Sequence, residues 1–150
     1  MRTRKSWREK MDVPDLPRVV DIPPRMQKRT GAGTMVLPSP RDVETTIRGI
    51  RKGRVMPVSR IRDYLAGKYA VTTACPLLTG IFVRIAAEAA EEDAQAGRHR
   101  ITPYWRVVKD DGSLNPKFPG GVERQAERLR EEGHSILPGK GKKPPRVAVT

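Results

Sequence analysis

Six of the 14 prolines fall within the first forty residues, at Pro14, Pro17, Pro23, Pro24, Pro38 and Pro40. Proline has no amide hydrogen to donate and drives its predecessor out of the helical region, so no long helix can run through this segment. Residues 1–40 therefore read as an extended arm. Trp7, Val19, Val20, Ile22 and Met26 can anchor it on a core, and Gly31-Ala32-Gly33 forms a turn. Past Pro40 the helical period takes over. Asp42 can cap a short helix in which Val43, Ile47 and Ile50 share one face. Arg51-Lys52-Gly53-Arg54 suits its C-terminal end, where cations meet the negative pole of the helix and glycine follows. A second helix is predicted from Val58 to Ala66, with Ile61 and Leu65 inward and Gly67 as its stop. A longer third helix is capped by Thr73 and tolerates Pro76 in its first turn. Its apolar face is Leu77, Leu78, Ile81, Phe82, Ile85 and Ala89. It turns acidic at Glu88, Glu91, Glu92 and Asp93, and ends at Gly97.

Ile101 to Val108 is extended and apolar, Asp110-Asp111-Gly112 reads as a tight turn, and Leu114 begins a return strand. A last helix over 121–132 packs through Val122, Ala126 and Leu129, with Gly133 as its stop. The order helix–helix–helix–ribbon–helix predicts a mainly α fold, a winged helix-turn-helix-like domain with a small β-ribbon wing. It would occupy residues 41–137, between a Pro-rich basic N-terminal arm (1–40) and a basic, disordered tail (138–150).

Charge narrows the class of partner. Lys and Arg number 30 against 17 Asp and Glu, for a formal charge of +13. Nine basic and four acidic groups lie in residues 1–30, and four basic and no acidic groups in 138–150. Nucleic acid is the commonest polyanion such a balance serves, and basic ends of this kind add salt-dependent phosphate attraction without reading sequence. Cys75 is the single cysteine, which excludes an intrachain disulfide and a zinc site of cysteine type and fits a reducing cytosol. No metal or cofactor is implied. The charged start has no apolar stretch behind it and no run approaches 18 apolar residues, so neither a secretory signal nor a membrane span is expected.

The most specific stretch is Thr102-Pro103-Tyr104-Trp105-Arg106-Val107-Val108, followed by Gly120-Gly121. Together with Ile50-Arg51-Lys52-Gly53-Arg54-Val55 and a close of Leu129 and Glu132-Gly133, it resembles the C-terminal DNA-binding domain of the alkylguanine-DNA alkyltransferase (methylated-DNA–protein-cysteine methyltransferase) family over roughly residues 43–136. In that family the segment reads Pro-Cys-His-Arg-Val, and its cysteine takes an alkyl group from a flipped-out guanine. Here Tyr104 stands at the cysteine and Trp105 at the histidine, while Glu132 matches the glutamate that orients that histidine. A phenol is mostly protonated at neutral pH and is a poor nucleophile toward an alkyl carbon. The base-filling arginine falls near Cys75 or Pro76, and the tyrosine that rotates the target phosphate falls at Val58. The asparagine before the Pro-Cys pair has no counterpart.

The resemblance implies a non-enzymatic, cytoplasmic, nucleoid-associated protein that binds double-stranded DNA. The alkyltransferase-like subgroup, which lacks the cysteine, would add recognition of alkylated guanine and hand-over to a repair-protein partner. Pro103, Tyr104, Trp105 and Arg106 are then candidates for a base pocket. Arg51, Lys52, Arg54, Arg60, Arg62, Thr72, Thr73, Lys109, Lys117 and Arg124 are candidates for DNA contact. Two alternatives stay open: a transcription or nucleoid-type binder with no base pocket, and a divergent alkyltransferase using Cys75. The basic ends also leave room for a protein or RNA partner.

Overall fold

The computed structural model describes residues 5–148, so Arg2 and Arg4 of the basic arm and the last two residues of the tail lie outside the described residues. Helix is the majority structure and the sheets are small. The helices are α1 (Gln27–Thr30), α2 (Pro40–Arg48), α3 (Val58–Lys68), α4 (Pro76–Gln95) and α5 (Gly121–Glu131). The strands are β1 (Arg18–Asp21), β2 (Thr34–Leu37), β3 (Met56–Pro57), β4 (Thr73–Ala74), β5 (Val107–Val108), β6 (Ile136–Leu137) and β7 (Arg146–Val147).

The four main helices begin and end for local reasons. At α2 the N-cap is Ser39 and not Asp42. Ser39 Oγ accepts the Asp42 amide at 3.1 Å while Asp42 Oδ2 accepts the Ser39 amide at 3.2 Å, a reciprocal capping box with Pro40 as the first helical residue. Asp42 also accepts the Tyr69 hydroxyl and the Lys68 ammonium. Burial by itself would raise the Asp42 carboxyl, but these partners and the Ser39 amide hold it below its ordinary value. Helices α3, α4 and α5 close on one motif. A residue of positive φ follows the cap, and the next amide reaches back five residues, from Val71 to Ala66, Arg98 to Asp93 and His134 to Leu129, each at 3.0 Å. Gly97 and Gly133 fill the positive-φ place in two of them; Ala70, at φ 52°, fills it in α3. Gly67 therefore does not stop α3, which runs on to Lys68.

Helices α2 and α3, the turn at Glu9–Met11 and the turn before β5 pack against α4, and α5 packs on that last turn. Val43, Ile47 and Ile50 are buried as their spacing predicts, as are Ile61 and Leu65 of α3 and Ala126 and Leu129 of α5. Helix α4 is rolled part-way from the expected face. Phe82 and Ala89 are buried and Leu78 and Ile85 half-buried against the core as expected, but Leu77 and Ile81 are 70% and 44% exposed, and Thr79, Val83, Ala86, Ala87 and Ala90 complete the core side. With apolar residues all round the first two turns, periodicity alone does not choose a face. The run of alanines decides, because small side chains let α2 approach closely.

Three small sheets tie distant segments together. Strand β1 pairs antiparallel with β2, and β2 pairs parallel with β4, with Val36 opposite Ala74. The N-terminal arm is thus built into the domain, with Met11, Ile22, Met35 and Val36 buried while Val19 is exposed. Strand β5 pairs parallel with β3. The Asp110-Asp111-Gly112 turn forms, closed by the Gly112 amide on Lys109 O at 2.8 Å. Leu114, however, does not return along β5 as a two-stranded ribbon: its amide donates to Pro145 O at 2.9 Å. The reason is the C-terminal segment, which is not disordered through residue 148. Strands β6 and β7 pair antiparallel and Val147 is buried against the core. Gly141, at φ 57°, helps the chain reverse between them.

Candidate functional site

Two concave surfaces lie at opposite ends of α4, separated by about 25 Å at 1.5 Å per residue from Leu77 to Ala94. The first is a groove of about 630 Å³ over the N-terminal half of α4. Its floor includes Leu77, Gly80, Ile81 and Ile85, with Trp7 of the arm and Pro116 on its sides. Its cations are Lys10, Arg84, Lys109 and Lys117, and none of its lining residues is acidic. Two of the predicted DNA-contact residues, Lys109 and Lys117, come together here. Lys10 Nζ lies 4.0 Å from the centre of the Trp7 ring, and Arg84 lies 6.0 Å from it. Such cation–aromatic pairs orient a flat ring and keep positive charge beside it.

The arm reaches this groove because α4 is acidic further along. The amides of Trp7 and Arg8 donate to the Glu92 carboxylate at 2.8 and 3.0 Å. The Arg8 guanidinium bonds Glu44 at 2.8 Å and Asp93 at 2.6 Å. The acidic half of α4 is the socket for the arm.

The second concavity, of about 560 Å³, lies at the C-terminal end of α4. Pro103, Trp105 and Arg106 line it with Arg48, Arg98, His99, Arg100 and Arg128. Three of the four expected base-pocket residues therefore share a cleft, but Tyr104 is not among them. Tyr104 is 0% exposed. Its ring packs edge-on against Trp105 and Phe118, with centroids 5.4 and 5.3 Å away, and its hydroxyl donates to Glu91 at 2.6 Å. Burial first, and then the Glu91 carboxylate, push its pKa well above the ordinary phenol value. A tyrosine held this way presents no face on which a base can stack. An aromatic pair beside an arginine cannot reveal in sequence which ring is core.

Arg106 is also committed internally. Its Nε and Nη2 donate to Glu132 at 3.0 and 2.6 Å, and Nη1 donates to Ile50 O at 2.7 Å. The pair is 13% and 8% exposed at the side chains. Burial alone would raise the Glu132 carboxyl, but the Arg106 hydrogen bonds outweigh it and hold the group below its ordinary value. Glu132 thus serves a structural role as the partner of Arg106. Two guanidinium groups lie close to the Trp105 ring, Arg128 at 4.4 Å and Arg106 at 5.7 Å from its centre. Its Nε1 lies near enough to Glu132 to favour the carboxylate but makes no hydrogen bond of good geometry.

The remaining predicted contacts are scattered. Arg51, Lys52 and Arg54 are exposed in the turn after α2, where Arg54 shares a cleft with Asp110 and Asp111. Asp110 itself accepts the Ser59 amide at the start of α3, at 3.0 Å. On α3, Arg60 is exposed and Arg62 half-buried. Thr72 and Thr73 do not offer hydroxyls at the start of α4. Thr73 belongs to β4, and Thr72 pairs with Thr34 through its amide at 3.0 Å, because the strand consumes the residues that would have capped the helix. Arg124 is exposed on α5, 3.8 Å from Glu127. Cys75 occupies the N-cap of α4 without a side-chain hydrogen bond, and its carbonyl accepts the Thr79 hydroxyl at 2.7 Å.

Sequence reasoning missed Trp7, Lys10 and Arg84 as groove residues, and it missed Gln125. The buried Gln125 amide donates to Trp105 O and Val107 O at 3.0 and 2.8 Å and accepts the Asn115 amide at 2.8 Å. It fixes the turn before β5 and the loop beside the groove to α5. A glutamine on the apolar stripe between Val122 and Leu129 was the available signal. No helix among the described residues is long and apolar enough to cross a membrane. Comparison with models of known families, with curated proteins and with solved structures finds no match.

Proposed function

We propose that this protein binds double-stranded DNA without chemistry, with α3 and α4 acting as a helix-turn-helix on the alkyltransferase plan. The observation that carries this reading is the groove over α4: an exposed helix face ringed by Lys10, Arg84, Lys109 and Lys117, with no acidic lining residue. Four phosphate contacts there would give a salt slope of about −3 to −4 in log K against log salt. The exposed cations of the α2–β3 turn and the basic ends add to the attraction.

Three features of the site support a reading without alkyl transfer. Tyr104 is buried and protonated, and Trp105 cannot take a proton from a nucleophile. Nothing among the described residues activates Cys75 by a side-chain hydrogen bond. The burial of Tyr104 favours a nucleoid-type or transcriptional binder over a sensor of alkylated guanine, because a flipped base would have no Tyr104 surface to rest on.

Fluorescence anisotropy on one short duplex, with and without a single O-methylated guanine and at several salt concentrations, tests both parts. Equal binding that falls steeply with salt is the expected result. A tenfold preference for the modified duplex, about 1.4 kcal/mol, would restore the damage-sensing reading and its repair partner. Failure to bind either duplex would refute DNA binding.

A further inference from the structure

We infer that the arginine cleft at the C-terminal end of α4 is a second phosphate-binding surface, which takes the backbone of a second duplex so that one chain bridges two DNA segments. The inference rests on the DNA-binding reading above, which fills only the groove at the other end of the helix.

The cleft brings together Arg48 of α2, Arg98 and Arg100 of the segment after α4, Arg106 of the turn before β5 and Arg128 of α5, and no acidic residue lines it. Two of these charges are met from behind. Arg106 is held by Glu132 at 2.6 Å, and Arg128 by Glu91 at 3.0 Å. Arg48 lies 3.8 Å from Glu44, but that carboxylate already accepts Arg8 at 2.8 Å. No ion pair among the described residues involves Arg98 or Arg100. Arg48, Arg98 and Arg100 are all exposed. Three like charges gathered on one surface repel each other in the free protein, and a polyanion relieves that repulsion. All three are arginines, whose planar forks fit phosphate oxygens two at a time.

The lining chooses among anions. At about 560 Å³ the cleft is far larger than one phosphate group. Trp105 offers no stacking face to a nucleotide, because it is 8% exposed and Arg128 lies 4.4 Å from its ring centre. An acidic segment of another protein needs apolar area at the centre of its contact. The aliphatic lining here is Ala94, Ile101 and Pro103, each already half-buried. Charge spread over a wide surface with little apolar area suits a phosphate backbone.

The cleft and the groove share no lining residue. The arm docks on Glu92 and Asp93, between Ile85 of the groove and Ala94 of the cleft. A straight duplex running along α4 from the groove meets the docked arm before it meets the cleft, which is left for a second duplex.

The test adds the full chain to a short duplex fixed on beads, and then offers a second, labelled duplex. Beads carrying wild type should retain about tenfold more label than beads carrying DNA alone, and sedimentation should show one chain with two duplexes. The variant Arg48→Ala/Arg98→Ala/Arg100→Ala changes three exposed positions. It should melt as the wild type does and bind a single duplex in anisotropy to within about twofold, yet lose the retention. Bridging is wrong while DNA binding stands if wild type binds the fixed duplex but retains no second one, if two duplexes require two chains, or if the variant retains as much as wild type. If polyglutamate binds the wild type and not the variant, and no second duplex is retained, the cleft takes an acidic protein and bridging is again wrong. If no duplex binds at all, both readings fail.

Discussion

Replacing Arg106 by alanine separates a structural arginine from a DNA-contacting one. The wild-type guanidinium satisfies Glu132 through both Nε and Nη2 and the Ile50 carbonyl through Nη1. With side chains 13% and 8% exposed, little water can replace it. Removing one member of a buried pair leaves an uncompensated charge and costs about 3–5 kcal/mol. For a chain of this length that is a fall of roughly 10 °C in melting temperature. Urea unfolding should show the midpoint shifted and the slope unchanged. The double variant Arg106→Met/Glu132→Leu should regain most of the loss, short of about 1–2 kcal/mol for the orphaned Ile50 carbonyl.

The pH dependence has a definite sign. The folded pKa of Glu132 lies below its unfolded value. Its contribution is therefore fully present above the unfolded value, about 4.3, and disappears as pH falls through the folded one. Glu132→Gln should be less stable than wild type at neutral pH and should lose less stability on acidification below that range. An Arg106→Ala protein as stable as wild type but with weakened DNA binding would refute this reasoning and return Arg106 to the interface.

Ala70 adopts φ 52° at the exposed end of α3, so Ala70→Gly should stabilise the protein by about 0.5–1 kcal/mol by relieving left-handed strain, read as a rise in melting temperature. Tyr104→Cys places a thiol where the sequence resemblance puts a reactive cysteine, but inside the core. Mass spectrometry after incubation with alkylated DNA should show no adduct on it, and stability should fall by roughly 2–4 kcal/mol for the cavity. Arg8→Ala leaves Glu44 and Asp93 short of a partner. Arg8 is partly exposed, so the cost should be near 2 kcal/mol, and limited proteolysis should cut the chain before Val13 faster than in wild type.

Helices were legible wherever packing follows local spacing. Val43, Ile47, Ile61, Leu65 and Leu129 all sit where the 3.6-residue period puts them, and Gly97 and Gly133 stop helices by the backbone conformation only glycine takes easily. What the sequence hid depends on partners far away in the chain. Strand β2 finds β4 nearly forty residues on, and β5 chooses β3 over Leu114; two-residue strands carry too little pattern to announce such pairings. The C-terminal hairpin is held by the buried Val147 and by backbone hydrogen bonds to Gly112, Leu114 and Ser135, in a segment whose composition otherwise reads as disordered. Part of the candidate groove was visible, as Lys109 and Lys117. Trp7 and Lys10 join it only because the arm docks on Glu92 and Asp93, and Arg84 lines it because α4 turns that side outward. Tyr104 was misjudged because its burial depends on Phe118 and Glu91, neither of which its own motif contains.

The salt dependence of duplex binding tests the central claim most directly, measured for the wild type and for the triple variant Arg84→Ala/Lys109→Ala/Lys117→Ala. The slope of log K against log salt should fall by about three between them, with the melting temperature unchanged. An equal slope and affinity in the two proteins would mean that DNA, if it binds at all, does not bind in the groove over α4.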